Sequence, residues 1–173
     1  PVGYWARARG LAGARNAGHT AASMALAAAL TVLLYWAVGW GLMFGDTAGG
    51  AVGTTGFLWA GNDAVHAGPK AFVVQAGLCA AAVALVTSVV AARVTLAGSL
   101  FIAALVSAAV YPVYGHWAWL ATVTHREGWM QAVAFLDYGG ATVVHAAPAW
   151  VAFAALVTVG PRRGRFTEEG LPG

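Results

Sequence analysis

The sequence predicts an all-α, polytopic membrane protein with about four complete spans, and three observations predict it. Sixty per cent of its 173 residues are hydrophobic and only 9% are charged, against about 25% charged in a soluble domain. The mean hydropathy is +0.72. Its apolar residues fall in long runs without alternation, the pattern of helices that cross a hydrocarbon core about 30 Å thick. A soluble globule is excluded. The pI of about 9.4 does not point to nucleic acid, because nearly all the basic residues flank apolar runs and read as topology signals.

Residues 1–19 hold Arg7, Arg9 and Arg15 and are too polar to cross a bilayer. They read as a basic cytoplasmic segment or the cut end of an earlier helix. The chain begins at Pro1, with no basic stretch, apolar core and cleavage site ahead of the first span. No secretory signal is expected, and the sequence reads as a fragment. The membrane domain is expected over 20–160.

Its first span, about 21–44, ends in Trp36, Trp40 and Phe44, aromatic residues suited to the interfacial belt. The Gly-rich stretch after it is too rich in turn residues for a regular helix. The second span covers about 71–92 and holds the single Cys79 in an apolar run. A turn at Arg93 leads to the third, about 96–119, where Pro112 should kink or end the helix. Residues 121–133 read as a polar loop, the fourth span as about 137–159, and 161–173 as a cytoplasmic tail. Arg7, Arg9, Arg15, Arg93, Arg162, Arg163 and Arg165 fall on one side, and Lys70 and Arg126 on the other. That bias puts the first set in the cytoplasm and both longer loops, with Asp46, Asp63 and Glu127, outside.

The functional signal is the stretch AFLDYGGATVVHAAPAWV, residues 134–151. It sets Asp137 and His145 into an otherwise apolar segment, where ionisable groups cost several kcal/mol and mark a pathway by default. Eight residues separate them, about 12 Å along a helix, with Asp137 near one membrane face and His145 near mid-depth. Both have plainer readings: Asp137 as a cap accepting N–H bonds from Gly139 or Gly140, His145 as a hydrogen-bonding residue between helices. Trp119 alone reads as an interfacial anchor. No zinc spacing, phosphate-binding Gly–Lys motif or hydrolytic triad is present, so neither metal nor cofactor nor catalysis is indicated.

Six stretches in order, ARNAG (14–18), YWAVGWGLMFGD (35–46), GTTGFLWAG (53–61), YPVYGHWAW (111–119), LDYGGATVVH (136–145) and VGPRRGRF (159–166), resemble the ammonium transporters (Amt/Mep/Rh). The resemblance implies an inverted-repeat fold of about eleven spans, a pore in each subunit of a homotrimer, and a chain that covers the amino-terminal half. It implies a multi-pass protein of the inner (plasma) membrane that recruits ammonium outside and passes ammonia with proton relay through a histidine-lined pore, and a PII-type regulatory protein as partner. Carried over by position, Trp119 matches the vestibule tryptophan, Asp137 the aspartate that shapes the recruitment site, and His145 the first of two pore histidines. His116 is read as structural.

Departures accompany the match. Val74 and Leu78 stand where the family has two phenylalanines at the mouth and gate, so cation recruitment by a ring should weaken while Leu78 still narrows the pore. Ala91, Ala92 and Arg93 replace its Ala-Glu-Arg, Ala8 stands at a glutamate position, and Pro148 should kink the helix beside the pore. An ammonium-sensing membrane domain of a signalling protein is the second reading. A haem carrier using His116 and His145 is a third. Four spans alone would leave the pore open on one side.

Overall fold

In a computed structural model, the chain is described over residues 2–11, 17–61 and 68–161, without the side chains of Arg9 and Leu11. Four helices are long and apolar enough to cross a membrane: α2 (Ala17–Phe44), α3 (Gly68–Val90), α4 (Leu96–Val123) and α6 (Ala141–Val159). A shorter helix, α1 (Val2–Leu11), lies against α2 and α3. One turn of helix, α5 (Trp129–Ala132), and a two-stranded antiparallel hairpin, β1 (Thr47–Ala48) with β2 (Val52–Gly53), complete the description. The fold is all-α and polytopic, the hairpin being a loop ornament.

Span α3 is the centre of the bundle: half of its most apolar window is buried, more than in any other span. It packs on α1, α2, α4 and α6. Its first turn carries Pro69, whose missing N–H has no helical partner to lose. After Val90 the chain reverses in a tight turn, Arg93 N–H to Val90 O at 2.8 Å. Thr95 then caps α4, its hydroxyl accepting the Gly98 N–H at 3.3 Å. Arg93 reaches the Gly160 carbonyl at 3.5 Å, so this turn and the end of α6 share one face of the bundle. Arg126 pairs with Asp46 at the opposite face. Arg15, Asp63, Arg162, Arg163 and Arg165 lie outside the described residues, as do parts of the stretches 14–18 and 159–166.

Three spans contain one wide turn with i→i−5 bonding: Tyr35–Gly39 in α2, Val106–Val110 in α4 and Ala141–Ala146 in α6. The latter two end two residues before Pro112 and Pro148. A proline removes its own N–H and clashes with the carbonyl four residues back, and a wider turn eases the backbone where that clash falls. The expected kink at Pro148 is thus met by the turn in which Ala147 N–H bonds Thr142 O. The wide turns of α2 and α4 pack on each other. Gly39 makes this possible, since a Cβ there would sit 2.8 Å from the Ser107 carbonyl.

One aromatic expectation is corrected. Trp40 and Phe44 do not face the interface; both are fully buried. The loop after α2 folds back over the span end and brings Trp59 to 5.3 Å from Trp40 and 4.7 Å from Phe72, ring centre to ring centre. With Tyr35 they form one aromatic core. Trp36 alone stays exposed, and its indole N–H bonds the Trp59 carbonyl at 2.8 Å. The stretch 121–133 is partly helical, because α4 continues to Val123 and α5 follows.

Candidate functional site at the start of helix α6

Helix α6 begins at Ala141, so Asp137 stands ahead of the span. Gly139 and Gly140 both take positive φ, +60° and +77°, and turn the chain so that the carboxylate points back at the helix start. Its oxygens accept the N–H groups of Thr142 at 2.8 Å and Val143 at 3.3 Å. Those are orphan donors of a helix N-terminus, and a negative charge there is favoured. Asp137 is therefore a cap, but its donors are Thr142 and Val143, two and three residues beyond Gly140.

Gly140 is also where Trp119 meets the site. A Cβ on Gly140 would lie 3.4 Å from the far edge of the Trp119 ring. Trp119 is only 9% exposed, packed in the core near the start of α6 rather than lying free at an interface. His145 follows one wide turn below, its N–H sharing the Gly140 carbonyl with that of Val144, at 3.2 and 3.0 Å.

The His145 side chain is exposed on the bundle surface, and no hydrogen bond to it is found among the described residues. On the turns below it Ala149 is exposed and Ala152 buried, and the exposed face of α6 continues through Ala146 to the apolar side chains of Trp150, Phe153 and Val157. On α3, Val74 is 60% exposed, while Leu78 is half-buried against the core. Between them Gln75 turns inward, its amide oxygen accepting the Tyr111 hydroxyl at 2.8 Å. The Trp119 ring thus packs beside Gly140 at the start of the helix that Asp137 caps, with His145 one turn in, while Val74 and Leu78 belong to the neighbouring span.

Sequence reasoning gave His116 only a structural role; the structure shows what it does. Fully buried, its Nδ1 lies 2.9 Å from the Met43 carbonyl and its Nε2 2.9 Å from the Thr47 hydroxyl. A carbonyl only accepts, so Nδ1 carries the hydrogen, and the neutral ring accepts the Thr47 O–H at Nε2. Thr47 Oγ1 in turn accepts the Gly50 N–H at 2.9 Å. His116 therefore pins the hairpin to the ends of α2 and α4, one turn before Trp119. Trp117 adds a bond from its indole N–H to Ala51 O at 2.6 Å. With both ring nitrogens engaged, His116 has none left to bind a haem iron.

A model of the Ammonium Transporter Family matches residues 2–172. The protein sll0537 of Synechocystis sp., named as a candidate ammonium transporter, is 35% identical over 98% of this chain and 32% of its own length. Ammonium transporter Amt2 of Archaeoglobus fulgidus is 31% identical over 94% of this chain and 36% of its own. The solved structure of a protein named Sensor Amt Protein superposes with a TM-score of 0.92 at 30% identity, covering 99% of this chain and 43% of that one. The chain thus spans about a third of the length of these curated relatives.

Proposed function

This chain belongs to the ammonium transporter family, and from that premise we propose that it forms one wall of a route for ammonium and ammonia across the inner (plasma) membrane. The observation that carries the reading is His145. An imidazole one turn inside a span, exposed on the surface of the bundle, would face hydrocarbon at a cost of a few kcal/mol if lipid covered it. The cost disappears if that surface borders a polar route closed by further protein, as the remainder of a longer family member would provide.

The chemistry follows from the order of groups. Ammonium cannot shed its water in hydrocarbon without a penalty of several kcal/mol. At the outer end the Trp119 ring and the negative Asp137 cap favour a cation, a ring face contributing about 0.5–2 kcal/mol. Ammonium gives up its proton at the outer end, neutral ammonia continues inward, and the proton follows separately by relay through the pore imidazoles, whose two nitrogens can each donate or accept. Leu78 narrows the route, and Val74 leaves the mouth without a second ring, so recruitment is weaker than in members with phenylalanine there. Trimeric assembly and control by a PII-type protein belong to the same reading.

The resemblance to a protein named as a sensor favours the second reading, in which the same site binds ammonium and reports it. One experiment separates them. The full gene carrying this sequence is placed in cells without ammonium uptake of their own, and methylammonium accumulation is measured for wild type, His145→Ala and Trp150→Ala. Transport predicts accumulation in wild type and Trp150→Ala and its loss in His145→Ala; no accumulation in wild type overturns it.

A further inference from the structure

Among the described residues, Gln75 is the only amide side chain inside a span, and it is 8% exposed. Its oxygen is held. Oε1 accepts the Tyr111 hydroxyl at 2.8 Å, and the same hydroxyl lies 3.5 Å from the Gln75 backbone carbonyl. Tyr111 is fully buried, so this bond fixes the amide oxygen toward α4 and turns the nitrogen away from it. That nitrogen has no hydrogen-bond partner among the described residues, yet it is not wholly buried. The wholly buried side-chain atoms without a partner are Thr20 Oγ1, Trp59 Nε1 and Thr142 Oγ1. The amide nitrogen therefore belongs to the accessible part of Gln75.

It lies beside the site at the start of α6. Both α3 and the half of α4 from Tyr111 onward pack on the wide turn Ala141–Ala146 that holds His145. The Asp137 charge acts on the Tyr111 hydroxyl, and the adjoining Val74 is exposed on the same span as Gln75. Hydrocarbon offers an N–H donor no acceptor, so lipid does not suit this face of the amide. We propose that the Gln75 amide nitrogen selects for a lone pair: its N–H donors hold neutral ammonia or water and turn away ammonium, which has no lone pair to accept them. This rests on the reading of that surface as a route wall. A free amide would turn over and offer its oxygen to the cation. The Tyr111 bond prevents this by keeping the oxygen occupied, so that only donors meet the passing molecule.

Two variants isolate the amide. Tyr111→Phe removes the clamp and keeps the amide, and adding Gln75→Met removes the amide without leaving the tyrosine hydroxyl unpaired. Ammonium flux is measured in proteoliposomes of the complete protein, and thermal unfolding in detergent. From Tyr111→Phe to the double variant, flux should fall about two- to tenfold, as expected for one lost hydrogen bond, with the unfolding temperatures alike. Equal fluxes overturn the proposal. A markedly lower unfolding temperature in the double variant means that the amide nitrogen is paired to protein, and overturns it too. A second readout needs neither flux nor the Tyr111 variant. In complete protein carrying isotope-labelled glutamine, the Gln75 side-chain amide NMR signal is assigned by its absence in Gln75→Met. It should shift on addition of ammonium chloride and stay in place with potassium chloride, whose cation is of similar size and yields no lone-pair form. No shift, or the same shift with both salts, overturns the proposal. If wild type passes no ammonium but the ammonium-specific shift is present, the route reading has failed and the lone-pair site stands.

Discussion

Removing the His116 ring bonds while keeping its bulk, as in His116→Phe, should detach the β1–β2 hairpin from the bundle. Two bonds at 2.9 Å disappear, and the Met43 carbonyl is left without the imidazole in the core, where His116 is 0% exposed, and the Thr47 hydroxyl without it at a half-buried position. An unpaired buried polar group costs about 1–3 kcal/mol. Relief through water entering beside the loop brings the total to about 2–4 kcal/mol. His116→Ala adds a cavity and should cost about 1–2 kcal/mol more. Denaturant titration in mixed micelles measures both. Hydrogen exchange adds a local readout, since the Gly50 amide donates to Thr47 and should exchange faster in the Phe variant. A His116→Phe protein within about 0.5 kcal/mol of wild type, with Gly50 exchange unchanged, refutes the latch.

Gly140→Ala should destabilise by at least about 1–2 kcal/mol, the cost of a side chain in the left-handed region. The new Cβ would also lie 2.6 Å from Val144 Cγ2; a neutral midpoint in the same titration would contradict this. Asp137→Asn keeps one acceptor oxygen and loses the charge at the start of α6, so it should cost about 0.5–1 kcal/mol. Asp137→Ala should cost more, and equal effects would count against the cap. Arg126→Ala breaks a pair whose side chains are 38% and 57% exposed, so its effect should stay below about 1 kcal/mol. That effect should shrink further with added salt.

The spans were legible because an apolar run of about twenty residues has one stable solution in a bilayer. Their ends were less so. Trp40 and Phe44 sit where a belt aromatic would sit, and only the return of Trp59 and Phe72 over the span end, a contact distant in sequence, buries them. Pro112 and Pro148 announced a disturbance, but whether a helix kinks or widens depends on its neighbours, here Gly39 against Ser107. Asp137 was legible as a candidate cap; its true partners followed from two consecutive glycines at positive φ. The roles proposed for Trp119 and His145 rest on resemblance, since a lone tryptophan or histidine in an apolar run fits several fates. His116 had no local signal, because its acceptor Met43 is 73 residues away.

The central claim is that the His145 surface borders a polar route while the side chains of Trp150, Phe153 and Val157 face lipid. Spin labels at positions 145 and 153 of the complete protein in bilayers, with the buried Cys79 replaced by alanine, test it through their accessibility to dissolved oxygen, which concentrates among acyl chains. A label at 153 should be highly accessible to oxygen and one at 145 shielded from it. Equal, high oxygen accessibility at both positions would put His145 against lipid and contradict the account.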